Sequence, residues 1–313
     1  MRSRDLVLSI CVALACWHAV DVLANGWVVA RESPHARDFA SFYYAAAVAR
    51  GGGDPYDTEA LGSAGRAERT RRWVHSYFYP PPFLLAMAWA LPLDLVTAYR
   101  AWFWLDEIFL WVAVAALWRW WRPLGAAAGV ALLAAVAALT AVANNDQIGQ
   151  MNLPVLALVA LGLWAAERGR EVTGGLCLGA ACMAKMSPAL FVAWWLLRRR
   201  WAAAGAAIAA AAGLTLVSLA AFGLDVQRTF WLDVFPAFAR GDYNGLAVPI
   251  GLFGNHSIPS LWHAAFPGDR LLSATARSLP AASALGLFAG AAWMLRATRR
   301  IRFSPRPTRA WWL

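Results

Sequence analysis

Charged side chains are scarce in this 313-residue chain. Asp, Glu, Lys and Arg make up 15% of it, against 60% apolar residues. That balance excludes a soluble globular domain, which could not hide so much apolar surface. Acidic residues are the scarcer sign, 18 against 28 basic, for a net charge of +10. The excess suggests nucleic-acid binding, but its placement argues against it. The arginines cluster at the ends of apolar runs: Arg2/Arg4, Arg168/Arg170, Arg198-Arg199-Arg200 and Arg296/Arg299/Arg300/Arg302. This is the positive-inside pattern of cytoplasmic loops, so nucleic acid is not an expected partner. Cysteine is rare as well. Cys11, Cys16, Cys177 and Cys182 all fall inside apolar segments without metal-type spacing, which leaves them core packing. Alternating apolar and polar residues are absent, and with them the signature of a membrane barrel. No internal repeat and no second domain are visible.

What is present is a series of apolar runs, several approaching the ~20 residues that cross a bilayer core. The 19 tryptophans and the mean hydropathy of +0.49 fit the same class. The sequence predicts an all-α polytopic membrane protein, a single domain of about eight or nine transmembrane or re-entrant helices. Its richness in Ala, Gly, Arg and Trp fits a bacterial inner membrane protein with a GC-rich gene. The first run, about 6–29, follows Met1-Arg2-Ser3-Arg4 and has no small-residue cleavage site. It reads as an uncleaved span leading from inside to outside. His18, Asp21 and Asn25 lie in its outer half, facing either a cavity or a packed hydrogen-bonding neighbour.

A long outer loop, 31–79, follows. Ser33-Pro34 starts a helix predicted to run to Arg50 and end at Gly51-Gly52-Gly53. Asp38 and Phe42 share one of its faces at i, i+4 spacing. Asp57 caps a second predicted helix, about 58–72, polar and placed at headgroup level. Tyr77-Phe78-Tyr79-Pro80-Pro81-Pro82 is an aromatic, proline-stiffened entry to an apolar segment over 83–96. Further segments are predicted at about 101–118, 125–143, 153–166, 173–184, 188–197, 202–222 and 279–295, then a cytoplasmic tail, 296–313.

The arginine clusters put 144–152, Lys185 and 224–267 on the outer side. They require 83–96 to enter and leave on that side, as a re-entrant or peripheral helix. They also favour two half-length helices meeting at Lys185, because one long span would put Arg168/Arg170 and Arg198–Arg200 on opposite faces. The alternative is a kinked span with Lys185 paired to a carboxylate.

Five polar groupings therefore gather outside: Asp38; Asp54-Pro55-Tyr56-Asp57; Asn144 to Asn152; Lys185; and Asn255-His256-Ser257. Sugar transfer from a lipid phosphate needs a carboxylate to take the acceptor's proton. It also needs cations or donors at the leaving phosphate. Asp38 suits the first role; Lys185 and His256 suit the second. Gln150, Asn152 and Asn255 can orient sugar hydroxyls, and Trp73 or Trp262 can stack on a sugar face. The plainer readings are an Asp38–Arg37 surface pair, an Asp54–Asp57 turn with a helix cap, a polar loop over 144–152, and a structural ion pair at Lys185.

Asp38-Phe39-x-x-Phe42-Tyr43-Tyr44-Ala45-Ala46, then Gly53-Asp54-Pro55-Tyr56-Asp57 and Tyr79-Pro80-Pro81, resembles glycosyltransferase family 87. These are the polyprenol-phosphate-mannose-dependent mannosyltransferases and their relatives of GT-C fold. The resemblance continues through Gly149-Gln150-Met151-Asn152, Gly174 to Gly179, Lys185-x-x-Pro188, Arg198-Arg199-Arg200-Trp201 and Asn255-His256-Ser257. It implies Asp38 as general base in the first outer loop, with Tyr43 of the same string as a substrate contact. It also implies a polyprenyl-phosphate-linked sugar as donor, a glycolipid or glycan acceptor, inversion at the anomeric carbon, and no essential metal or further cofactor. The chain is shorter than typical members, which add C-terminal spans. A polytopic transporter or lipid-linked-sugar flippase is the alternative, which would want charged sites near the bilayer midplane and two related halves.

Overall fold

The computed structural model describes residues 3–28, 31, 37–68, 74–121, 125–138, 140–238 and 242–247, with 261, 286 and 289. A compact unit covers residues 1–246, and 247–313 fall to a second unit. The expected segment 279–295, the tail 296–313, and Asn255, His256, Trp73 and Trp262 lie outside the described residues, apart from 286 and 289.

The first unit is helical, as its composition requires. Helix α1, Ser3–Asp21, continues through a wider turn, Val22–Trp27. Helix α2, Arg37–Arg50, ends at Gly51-Gly52-Gly53, where Gly52 takes φ +81° and Gly53 N–H returns to Val48 O at 2.9 Å. Helix α3, Thr58–Ala67, is shorter than the 58–72 expected. Its cap is the Asp57 side chain, which accepts from Glu59 and Ala60 N–H.

The apolar stretch at 83–96 does not form one helix. It makes a single turn, α4 (Pro82–Ala86), and a tighter turn at Ala88–Ala90. Pro92 follows, and it can contribute no N–H to a continuing helix. Asp94 then opens the next helix by accepting from Val96 and Thr97 N–H at 3.0 Å. Among the described residues, that helix, α5, Leu95–Trp121, is one of three long and apolar enough to cross a membrane. The others are Leu6–Ala24 and Trp201–Ala237.

Helices α6 (Ala126–Ala138) and α7 (Thr140–Ile148) lead to α8 (Asn152–Glu167), α9 (Glu171–Ala184), α10 (Ala189–Leu197) and α11 (Trp201–Arg228). Small residues let α9 approach its neighbours closely. A side chain at Gly174 would stand 2.6 Å from Gly162 O of α8, and one at Gly175 would meet Ala206 Cβ of α11 at 2.5 Å. Arg200 bonds Glu167, Glu171 and the Ala166 carbonyl. The arginine-bearing turns 168–170 and 198–200 therefore share one end of the bundle, and Lys185 stands at the opposite end of α9.

The first loop is not a peripheral strap. Phe39, Phe42, Tyr44, Leu61, Tyr77 and Phe83 are buried in one core with Tyr99 and Phe103 of α5. After Gly223, which breaks α11 at φ +84°, the chain folds back onto this core. Phe230 lies 5.9 Å from the Tyr56 ring, and Asn244 donates to the Tyr56 and Tyr77 carbonyls.

Candidate active site

Asp38 lies in the first turn of α2, where the helix dipole favours a carboxylate. Its neighbours fix the helix's rotation. Phe39 packs against Tyr99 and Trp102 of α5 at 5.8 and 5.7 Å between ring centres. Phe42 meets Tyr79 and Phe83 edge to face at 4.8 and 5.0 Å. With those rings buried, Asp38 stays half-buried, and its Oδ2 accepts from the Gln150 amide Nε2 at 2.5 Å.

Gln150 belongs to the junction between α7 and α8. Gly149 turns the chain there with φ +67°, and a Cβ on it would stand 2.6 Å from Phe39 Cβ. The Gln150 N–H returns to Asn145 O at 2.9 Å, and the Tyr99 hydroxyl lies within bonding distance of the Asp146 and Gln147 carbonyls. The side-chain carbonyl Oε1 of Gln150 accepts twice: from Tyr79 OH at 2.7 Å and from Met151 N–H at 3.0 Å. Two residues on, Asn152 Oδ1 accepts from Lys185 Nζ at 2.6 Å.

Lys185 ends α9 in an extended conformation, φ −152° and ψ 130°, and Met186-Ser187-Pro188 turns the chain into α10. The half-helices expected from the charge pattern thus meet at Lys185. Burial and the nearby Asp38 carboxylate both push the Tyr79 phenol pKa up, and its bond to Gln150 lowers it in part. Tyr79 is therefore held as a hydrogen-bond donor. The field of Asp38 also reaches the Lys185 ammonium. One site gathers a carboxylate, an ammonium, two amides and a phenol from four separate parts of the chain.

Of the residues that the sequence singles out, Asp38, Gln150, Asn152 and Lys185 come together here. Tyr43 is buried against Tyr44 and donates to Leu93 O at 2.8 Å, so its hydroxyl proton is turned to the backbone. Asp54 and Asp57 close turns: Asp54 Oδ1 accepts from Tyr56 N–H, and Asp57 caps α3. Sequence reasoning gave Tyr79 no role of its own. Its only signal was the Tyr-Pro-Pro string, which also reads as an interfacial aromatic belt.

Among the described residues, cavities flank α5. An apolar cleft of about 570 Å³ is lined by Phe83, Trp89, Trp102, Met151, Met183 and Ala184, among others. Met151 and Ala184 are the chain neighbours of Gln150 and Lys185, so the cleft opens beside the site. A groove of about 700 Å³ between α1 and α5 includes none of the site residues. Below the junction, His18 and Glu107 pair at 3.2 Å, Asn145 donates to Asp106 at 3.0 Å, and Asp21 and Asp146 line a small cavity. Among the described residues, no group of three or more His, Cys, Asp or Glu side chains is arranged to hold a metal ion.

Residues 77–312 match the family model of Glycosyltransferase family 87. No curated protein and no solved structure matches the chain.

Proposed function

The chain belongs to glycosyltransferase family 87, and from that premise we propose that it moves a hexose, mannose or a close relative, from a polyprenyl-phosphate carrier. The acceptor is a hydroxyl of a glycolipid or glycan at the outer face of the bacterial inner membrane. Asp38 takes the proton of that hydroxyl as its oxygen attacks the anomeric carbon. The bond from that carbon to the phosphate oxygen breaks, the configuration inverts, and the electron pair leaves with the polyprenyl phosphate. Lys185 offsets the charge that develops there. In this reading Asn152 and Gln150 orient the hydroxyls of the sugar.

The observation that carries the proposal is an acid and an ammonium, each held by an amide, beside an apolar cleft. Asp38 and Lys185 are held by amides two residues apart, Gln150 and Asn152. Beside them, a cleft of about 570 Å³ is walled by apolar side chains. A lipid tail lying there would bring its phosphate to Lys185 and its sugar toward Asp38. The matched stretch begins at Tyr77, after Asp38, so the role of the acid rests on this contact geometry and not on the match.

The test uses purified protein in bilayer nanodiscs with radiolabelled undecaprenyl-phosphate mannose and extracted bacterial membrane lipids as acceptors. Asp38→Ala should abolish label transfer while the protein elutes as a folded monodisperse species. Undiminished transfer by that variant would sink the proposal.

A further inference from the structure

The Gln150 amide is pinned at three points. Its Oε1 accepts from the Tyr79 hydroxyl at 2.7 Å and from the Met151 N–H at 3.0 Å, and its Nε2 donates to Asp38 Oδ2. The flipped amide is disfavoured, because it would turn Oε1 toward the carboxylate and set the Met151 N–H against an NH2 group. Only the Tyr79 bond comes from outside the local chain, because Met151 is the very next residue. Tyr79 is itself held by its neighbours. Phe42 and Phe83 pack against it, and the Tyr56 hydroxyl donates to its carbonyl at 2.8 Å. The Asp54–Asp57 turn thus acts at a distance: Tyr56 is tied to Asp54 and holds the backbone of Tyr79.

We propose that Tyr79 is a positioning residue for the reaction. It acts through Gln150, fixing the amide so that one carboxylate oxygen of Asp38 is held by a donor. Gln150 is then the holder of the acid as well as a neighbour of the sugar. This rests on the reading of Asp38 as the base, and it adds a residue and a route to that reading. The physical consequence is specific. A donor on a carboxylate oxygen favours the ionised form, so losing the donor makes the acid take its proton at higher pH. The hydroxyl proton of Tyr79 goes to the amide, so the main effect of Tyr79 on Asp38 should pass through Gln150.

The experiment reads Asp38 directly. The protein in nanodiscs is titrated by infrared spectroscopy, and the Asp38 carboxyl band is isolated by subtracting Asp38→Asn. Tyr79→Phe removes one oxygen and keeps the buried ring. It should move the protonation midpoint of Asp38 upward by about half a unit to a unit. Gln150→Leu should move it at least as far, and the double variant no further than Gln150→Leu alone. No shift in Tyr79→Phe, or shifts that add in the double variant, would overturn the proposal; Tyr79→Phe decides the first point even if Gln150→Leu fails to fold.

Transfer assays provide the second arm. With undecaprenyl-phosphate mannose as the probe, Tyr79→Phe should lower kcat about three- to tenfold at neutral pH, leave KM unchanged, and move the acid limb of the pH profile with the infrared midpoint. If the infrared shift occurs while Asp38→Asn still transfers sugar, the positioning chain stands but its catalytic role falls. If transfer depends on Asp38 but the midpoint ignores Tyr79, the base stands and Tyr79 is only structural.

Discussion

At the scale of single residues, Lys185 shows why type and position must be read together. An ammonium among apolar helices is costly unless something holds it, and here Asn152 Oδ1 does so at 2.6 Å. That amide leaves further donors of the Lys185 head for an incoming anion, since an ammonium has three. A hydrogen bond to a charged group contributes about 1.5–3 kcal/mol, so Lys185→Gln should cost transfer about ten- to a hundredfold. Lys185→Arg should recover part of that loss, because charge is restored without the shape. Steady-state rates across donor concentration check this; an unchanged rate for Lys185→Gln would remove the phosphate role. Lys185, Asp38, Gln150 and Asn152 were legible as candidates in the sequence, as polar residues or polar stretches in an otherwise apolar chain. Their pairing was not. Gln150 and Asp38 stand 112 positions apart, and only folding decides which amide meets which charge. Tyr79 stayed hidden because a buried tyrosine donor and an interfacial tyrosine look alike in a string of aromatics.

At the scale of elements, the site depends on two interruptions. One is Gly149, which takes a left-handed conformation beside Phe39. Gly149→Ala should strain the backbone by about 1–2 kcal/mol, because a Cβ disfavours that region. The new methyl would also meet Phe39 Cβ at 2.6 Å and Tyr99 at 3.2 Å. Because Phe39 adjoins Asp38 and Gly149 adjoins Gln150, the strain should fall on the bond between them. Transfer should drop at least tenfold while the melting temperature falls by only a few degrees. An equal loss of both, or no loss of transfer, would show that the junction is merely structural. The other interruption, at Lys185, was readable from charge: the arginine turns on either side had to share a face, and Arg200 now ties them together. The 83–96 segment was not readable as one element. Apolar content suggested a continuous helix, but Pro92 and the Asp94 cap divide it, and short turns replace it. Likewise the i, i+4 spacing of Asp38 and Phe42 did not show that the aromatic residues of α2 are buried in one core with α5.

At the scale of the whole molecule, depth in the membrane separates an enzyme working at one face from a transporter. Helix α9 has 14 residues and α8 has 16, about 21 and 24 Å at 1.5 Å per residue, against a hydrocarbon core of ~30 Å. If the arginine turns 168–170 and 198–200 lie at the cytoplasmic surface, Lys185 sits well past the midplane, toward the outer side. Ser187, exposed beside it, should then be reachable from outside only. With the four native cysteines replaced, Ser187→Cys in spheroplasts should react with a membrane-impermeant maleimide, and Arg168→Cys should react only after lysis. Adding undecaprenyl phosphate should slow labelling at residue 187 without exposing it to the inner side, because a lipid phosphate at Lys185 would cover that turn. A transporter predicts a different pattern, with residue 187 labelled from each side in turn as its two states exchange. Labelling of Ser187→Cys from the cytoplasmic side in sealed inverted vesicles would therefore overturn the one-faced enzyme and favour the flippase.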